Sequence, residues 1–262
     1  MSIILFLFFM CFSPNEATLT IATTTSVEDT GLLEVLLPPF EKHYDIKVKY
    51  IAVGTGQALR LARDGNADLI FVHDKEREED FIKQGYGTHR HEVMQNYFLI
   101  VGPEKNVEAL EHKPLCDILG SIASNEFLFI SRGDESGTHS REKLLWKTCK
   151  VLPSGEWYLE SGSGMISTLR IANEKQAFAL TDTATFLSHR DELQLHSYTE
   201  KDSLLLNIYS IIPVNPDKYP HVCIKEAEKF ISYILKGEGG TIIKNFGKER
   251  YGKPLFQMMW KP

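Results

Sequence analysis

The stretch IKVKYIAVGTGQALRLARDGNADLIFVH, residues 46–73, decides the fold class. Ile46–Val53 alternates with the period of two expected of a half-buried strand. Gly54-Thr55-Gly56-Gln57 then turns the chain into a helix, GQALRLARDG, that Gly65 stops. Ala67–His73 is apolar almost throughout, which predicts a strand buried on both faces of a parallel sheet. Strand, helix and strand in succession make a crossover unit, and they place the chain among α/β proteins.

The same alternation extends in both directions. Leu19–Thr25 reads as a strand, followed by a helix with Leu32, Leu33, Leu36, Leu37 and Phe40 on one face. Pro38 and Pro39 fall inside that pattern and are expected to kink or shorten the helix. EREEDFIKQG reads as a helix closed by Gly85, with Arg77, Glu78 and Glu79 on a solvated face. A second α/β block follows: a strand in EFLFISRG, helices in SGTHSREKLLWKTCK and STLRIANEKQ, then the strand AFALTD. EAEKFISYILKG is an amphipathic helix near the C-terminus. Met94–Pro103 and Leu204–Val214 are long, apolar and β-rich, and they bracket the second block. If both cross between two lobes, lobe one comprises 18–98 and 208–262, lobe two comprises 99–207, and a ligand lies in the cleft between them.

Composition narrows the function. The 262 residues are 43% hydrophobic and 24% charged, which is ordinary for a folded protein, and they suffice for one large domain or two smaller ones. A net charge of −6 without a basic tract argues against a nucleic-acid partner or an anionic membrane surface. The apolar run Ile3–Phe12 has the length of a signal-peptide core and is too short to span a bilayer. It lacks a preceding Lys or Arg, and cleavage is expected near Ala17, so residues 1–17 are read as a leader to an extracytoplasmic compartment. The cysteines Cys11, Cys116, Cys149 and Cys223 have no metal-site spacing. Cys116 and Cys149 could pair in an oxidising compartment or remain buried thiols.

Three segments repeat one format of strand, small polar turn and helix start: Thr23-Thr24-Thr25-Ser26, Gly54-Thr55-Gly56-Gln57, and Arg132-Gly133-Asp134-Glu135-Ser136-Gly137-Thr138. A helix start leaves backbone N–H groups without partners and carries partial positive charge. Small residues let an oxyanion approach those groups, and Ser and Thr hydroxyls add donors. A single such turn is ordinarily just a helix cap, whereas three converging turns with an arginine describe an anion site. Nucleotide readings fail, because GTGQ lacks the lysine and spacing of a phosphate-binding loop and no strand precedes a G-x-G-x-x-G. No G-x-S-x-G elbow or nucleophile–base pair appears, so an enzyme is not expected. His139 reads as a first-turn helix residue rather than a base, Arg132-Gly133-Asp134 as a turn rather than an adhesion ligand, and His89 with His91 as a solvated loop rather than a metal pair.

ATTTSVEDTGLL, IAVGTGQALRLARDGNADLIFVH, GYG, SRGDESGTH and LRIANEKQAFALTD together resemble the tungstate-binding proteins of ABC importers, within the molybdate/sulfate/phosphate-type periplasmic binding proteins. The resemblance implies a two-lobed type II periplasmic binding protein fold, each lobe a mixed, mostly parallel sheet flanked by helices. It also implies an oxyanion ligand, tungstate or molybdate, held by hydrogen bonds in the interlobe cleft. Matching the motifs residue by residue assigns Thr25 and Ser26, Thr55 and Gly56, Arg132, then Ser136, Gly137 and Thr138, with Gly164 of Ser161-Gly162-Ser163-Gly164 as a further backbone contact. Asp134 and Glu135 would repel an anion, so they are expected to orient Arg132 or to face solvent. The implied partner is an ABC permease, the implied state is a monomer, and no cofactor or directly ligated metal is implied. A sulfate- or phosphate-type binding protein, an enzyme or a sensor domain would reuse the same fold.

Overall fold

The computed structural model describes residues 17–106, 110–199 and 202–259. Apart from Ala17, which opens the first strand, the leader reading lies outside the described residues. Strand β1 (Ala17–Thr24) lies between β2 (Ile46–Val53) and β3 (Leu69–Val72) and is parallel to both. Strand β2 is the sheet's edge, and Ile46 is its one fully buried residue. Its exposed Lys47 and Lys49 suit an edge, because charge there discourages further strand pairing. The helices of this part are α1 (Thr25–Glu28), α2 (Leu32–Tyr44), α3 (Thr55–Arg63) and α4 (Lys75–Lys83).

Strand β3 is buried along its whole length as expected, but it is parallel only toward β1. On its other side it runs antiparallel to a later strand, Leu206–Pro213. That strand is antiparallel in turn to β4 (His91–Pro103), so the centre of the sheet is antiparallel and its flanks are parallel. Strand β4 spans both halves of the molecule. Its first half pairs with Leu206–Pro213, and Phe98–Val101 pairs with Phe178–Asp182.

The second half of the fold contains helix α5 (Leu115–Ser124), strand β5 (Phe129–Ser131), α6 (Gly137–Thr148), β6 (Tyr158–Glu160) and α7 (Met165–Lys175). It is completed by β7 (Phe178–Asp182), α8 (Thr183–Ser188) and β8 (Leu195–Ser197). The chain returns through β9 (Leu206–Pro213) to α9 (Ile224–Lys236), α10 (Glu238–Asn245), α11 (Lys248–Tyr251) and β10 (Gln257–Met258). The sheet order is β2-β1-β3-β9-β4-β7-β5-β6.

Alternation along the strands gives each half two apolar layers. Leu19, Ile21 and Phe71 pack with α2 and α9, whereas Ala22, Ile70 and Val72 pack with α3 and Phe81 on the opposite face. Phe98, Phe129 and Phe178 join Ile118 and Trp146 on one face of the second half, with Val101, Ile130 and Ala179 against Met165 and Leu169 on the other. Helix α2 departs from expectation by continuing through Pro38 and Pro39. A proline in a helix interior costs about 3 kcal/mol, whereas each fully buried Leu or Phe contributes about 1.5–3 kcal/mol. Leu32, Leu33, Leu36, Leu37 and Phe40 are all buried, so packing outweighs the local penalty. Cys116 and Cys149 form a disulfide with Cα atoms 5.0 Å apart, tying α5 to the end of α6.

Candidate functional site

Helix starts determine the site. Helices α1, α3 and α7 begin after Thr24, Gly54 and Gly164, all extended in backbone and none making a side-chain cap bond. No side chain caps their first N–H groups, although in the second turn the N–H of Gln57 already donates to the Gly54 carbonyl at 2.9 Å. Helix α6 begins after Ser136, whose Oγ accepts the N–H of His139 at 3.2 Å. A cavity of about 230 Å³ is lined by Thr25, Gly54, Gly56, Gln57 and Arg60 from one half of the fold, and by Arg132, Asp134, Glu135, Gly162, Ser163 and Gly164 from the other. Of the residues expected from sequence, Thr25, Gly56, Arg132 and Gly164 line it, whereas Ser26, Thr55, Ser136, Gly137 and Thr138 do not.

Those five residues are all buried. A Cβ placed on Gly137 would stand 3.1 Å from Thr55 Oγ1, so the second and third turns meet across the cleft. The Thr55 and Thr138 hydroxyls are buried without a hydrogen-bond partner. Buried hydroxyls are ordinarily paired, which makes these two candidates for a ligand.

Arg132 is 3% exposed and held in place at both ends of its guanidinium. Its Nε donates to the carbonyl of Ser163 at 3.3 Å, and its Nη2 pairs with the carboxylate of Asp134. The other oxygen of Asp134 accepts the N–H of Ser136 at 3.2 Å. Both oxygens of Asp134 are thus engaged within the turn, and Asp134 orients Arg132. The turn requires left-handed backbone at Gly133, and a Cβ there would lie 2.6 Å from Glu160 Cβ, so glycine is demanded on both counts. Glu135 is also left-handed, with its side chain 68% exposed and directed to Arg77 and Lys143 at 3.7 and 3.8 Å.

Two residues of α4 differ from their solvated reading. Arg77 reaches across the cleft, its Nη1 donating to the backbone carbonyl of Glu135 at 2.8 Å. Glu78 is fully buried, paired with Arg90 at 2.6 Å and accepting from the hydroxyl of Ser210, and burial pushes its carboxyl above the usual range. Those partners lie outside its helix, 12 and 132 residues on, so helical periodicity alone gave no warning of its burial.

His73 is the functional candidate that sequence reasoning missed. It follows β3, is 6% exposed, and its Nε2 lies 3.2 Å from Ser26 Oγ. Its Nδ1 is 2.9 Å from Asn207 Oδ1, and Asn207 continues to Asn96 and Asp182. Burial, together with the positive charges of Arg132 and Arg141, pushes its imidazole down to about 4. The only sequence signal was a histidine ending an apolar strand beside a turn, with its partners distant in the chain.

The remaining candidates stay structural. His139 lies in the first turn of α6, with Nδ1 accepting the N–H of Glu135 at 3.2 Å. His89 and His91 meet edge to face with ring centres 4.2 Å apart, His91 opening strand β4 rather than lying in a solvated loop, and no group of three potential metal ligands occurs among the described residues. A rim groove of about 700 Å³, lined by Arg60, Arg63, Arg77, Lys143 and Lys147 among others, shares Gly56, Arg60 and Glu135 with the cavity and so adjoins it. At about 230 Å³ the cavity has room for a small ion.

A family model described as a PBP superfamily domain matches residues 13–238. The tungstate-binding protein TupA of Peptoclostridium acidaminophilum is 43% identical over 244 residues, covering 92% of this chain and 85% of the relative. The chain belongs to the PBP superfamily, in the TupA family. A solved structure described as the tungstate ABC transporter of Geobacter sulfurreducens is 43% identical with a TM-score of 0.80, covering 87% of this chain and 98% of that one. The TupA structure from Desulfovibrio alaskensis is 36% identical with a TM-score of 0.79, covering 94% of this chain and all (100%) of that one. The cavity's lining comes from residues 25–60 and 132–164, on either side of β4 in the chain.

Proposed function

We propose that the chain is the extracytoplasmic solute-binding component of an ABC importer and binds tungstate, a tetrahedral dianion, in the interlobe cavity. One observation carries this reading: Thr25, Gly56, Arg132 and Gly164, brought from four separate turns, line one small cavity. Burying a dianion without partners is prohibitive, and these turns supply backbone N–H groups and a guanidinium. The buried Thr55 and Thr138 hydroxyls add donors from both lobes. Ser26, Ser136 and Gly137 shape the same turns. Charge-assisted bonds are about twice as strong as neutral ones, so Arg132 contributes most.

Lobe one comprises 18–98 with 208–262, and lobe two 99–207, a division supported by the separate apolar layers and by the crossover of β4 and β9. The ligand closes the lobes, and the closed rims, held by Arg77 against Glu135, are what the permease recognises. The protein acts as a monomer, without cofactor, catalysis or nucleic-acid partner. The Cys116–Cys149 disulfide supports an oxidising, extracytoplasmic location. No helix among the described residues is long and apolar enough to cross a membrane.

Selectivity follows from donor chemistry. Tungstate and molybdate are fully deprotonated near neutral pH, whereas phosphate commonly retains a proton that needs an acceptor. The oxygens of Asp134 are already engaged and Glu135 turns outward, so that proton finds no partner. Sulfate is smaller, so donors spaced for tungstate do not all reach it. Membership of the TupA family supports tungstate over the similarly sized molybdate. Calorimetric titration of the purified protein with all four anions tests the reading. Tight tungstate binding with weak sulfate and phosphate binding is expected, and phosphate binding as tightly as tungstate overturns it.

A further inference from the structure

Charge around the cavity is unevenly matched. Its lining carries two cations, Arg60 and Arg132, and two carboxylates, Asp134 and Glu135. Arg132 is committed to Asp134 within the wall. The Glu135 carboxylate lies 3.7 Å from Arg77 and 3.8 Å from Lys143, neither of which lines the cavity. Arg77 in turn is held by Asp74 at 3.5 Å and by the Glu135 carbonyl at 2.8 Å. Asp29 adds a further negative charge that acts on Arg132. Among the described residues, Arg60 is the one charged side chain of the lining with neither an ion pair nor a hydrogen bond.

Helix geometry aims this side chain at the site. Arg60 follows Gly56 by four residues on α3, so the two share a face, and a helical side chain leans toward the helix N-terminus. Gly56 has no side chain to stand in the way: a Cβ there would lie 3.9 Å from Arg60 Nη1 and 3.1 Å from Arg77 Nη1. Two guanidinium groups thus gather over the glycine of the second turn, Arg77 fixed and Arg60 unpaired. Arg63, the next basic residue of α3, is committed elsewhere, 3.7 Å from Asp80 and over the Tyr86 ring. Arg60 also lines the outer groove, so its side chain stands where groove and cavity join.

We propose that Arg60 is the second guanidinium of the anion site, a ligand-contacting residue that supplies the positive charge Arg132 cannot supply alone. The charges of Arg132 and Asp134 largely cancel, and helix starts contribute only partial charges, so a dianion draws in the one uncommitted cation beside it. Rotation of this long, exposed side chain brings its guanidinium to an anion oxygen without breaking an existing ion pair or hydrogen bond. Binding then converts an unpaired cation at the mouth into an ion pair and covers the anion from the groove side. The inference rests on the oxyanion-binding reading and adds to it the residue that balances the ligand's charge.

The test is calorimetric titration with sodium tungstate of the wild-type protein, Arg60→Gln, Arg60→Lys and Lys147→Gln, each in low and high sodium chloride. Lys147 lines the groove but not the cavity, so its replacement deletes the same charge away from the site. Arg60→Gln should weaken binding about tenfold in about 0.02 M salt and only about threefold in about 0.3 M, because salt screens an exposed charge. Arg60→Lys, which keeps the charge, should stay within about threefold of wild type, and Lys147→Gln within about twofold. Low-salt binding by Arg60→Gln within about twofold of wild type overturns the proposal. An equal loss in Lys147→Gln also overturns it, because the effect then belongs to the general field of the groove. So does a loss indifferent to salt and shared by Arg60→Lys, which reports packing rather than charge. Absence of tungstate binding to the wild-type protein would overturn the functional reading itself.

Discussion

Replacing Arg132 by alanine should cost this protein most of its affinity for tungstate. The side chain is 3% exposed, and truncation does two things at once. It removes the cation that faces the ligand, and it leaves the Asp134 carboxylate in the cavity wall without its partner. A hydrogen bond to a charged group contributes about 1.5–3 kcal/mol, and breaking a buried ion pair from one side costs about 3–5 kcal/mol. A loss of about 3–5 kcal/mol corresponds to roughly two to three and a half orders of magnitude in Kd. Arg132→Lys keeps the charge but loses the fork, and should fall between the two. Adding Asp134→Asn to Arg132→Ala should recover part of the loss, because it removes the uncompensated carboxylate. Isothermal calorimetry reads all three, with circular dichroism to establish that the fold is intact. A folded Arg132→Ala protein that binds tungstate within about fivefold of wild type (about 1 kcal/mol) would refute the reasoning.

Other expectations follow from single positions. Gly137→Ala puts a Cβ 3.0 Å from the His73 ring and 3.1 Å from Thr55 Oγ1, so it should weaken tungstate binding and leave more of the protein open in small-angle scattering with ligand present. Replacing Cys116 and Cys149 by serine opens a loop closed across 33 residues and should cost about 3–4 kcal/mol in urea unfolding. The pH dependence of ligand-free stability reports on His73. Its folded-state value of about 4 lies below the ordinary 6.5, so between these pH values the unfolded chain binds more protons, and stability falls as pH drops. The loss attributable to this group from neutral pH to below 4 is about 3 kcal/mol, and His73→Gln should flatten the urea-midpoint profile by that amount.

Much of this molecule was legible where the information is local. The turns after β1, β2 and β5 were marked by small polar residues before a helical pattern, and the alternation of Ile46–Val53 matches β2 to the residue. What escaped was set by distant partners. Pro38 and Pro39 argued locally for a break, yet five buried neighbours on α2 keep the helix whole. The apolar run of β3 predicted burial, but the antiparallel partner on one side comes from β9, late in the chain. Glu78 looked solvated because its partners lie outside its helix, Arg90 in the segment before β4 and Ser210 on β9. His73 carried no motif, since Ser26 is 47 residues away and Asn207 is 134. Four of the expected site residues line the cavity and five do not, a distinction that needs the three-dimensional placement of turns remote in the chain.

The central claim is that turns remote in sequence hold one metal-oxo dianion between the lobes, and locating that ion tests it most directly. Crystals grown with tungstate, measured on either side of a tungsten absorption edge, should give one anomalous peak per molecule. It is predicted in the cavity bounded by Thr25, Gly56, Arg132 and Gly164, with ligand oxygens within hydrogen-bonding reach of the Arg132 guanidinium. A peak confined to the outer groove among Arg63, Lys143 and Lys147, with no peak between the lobes, would contradict the account.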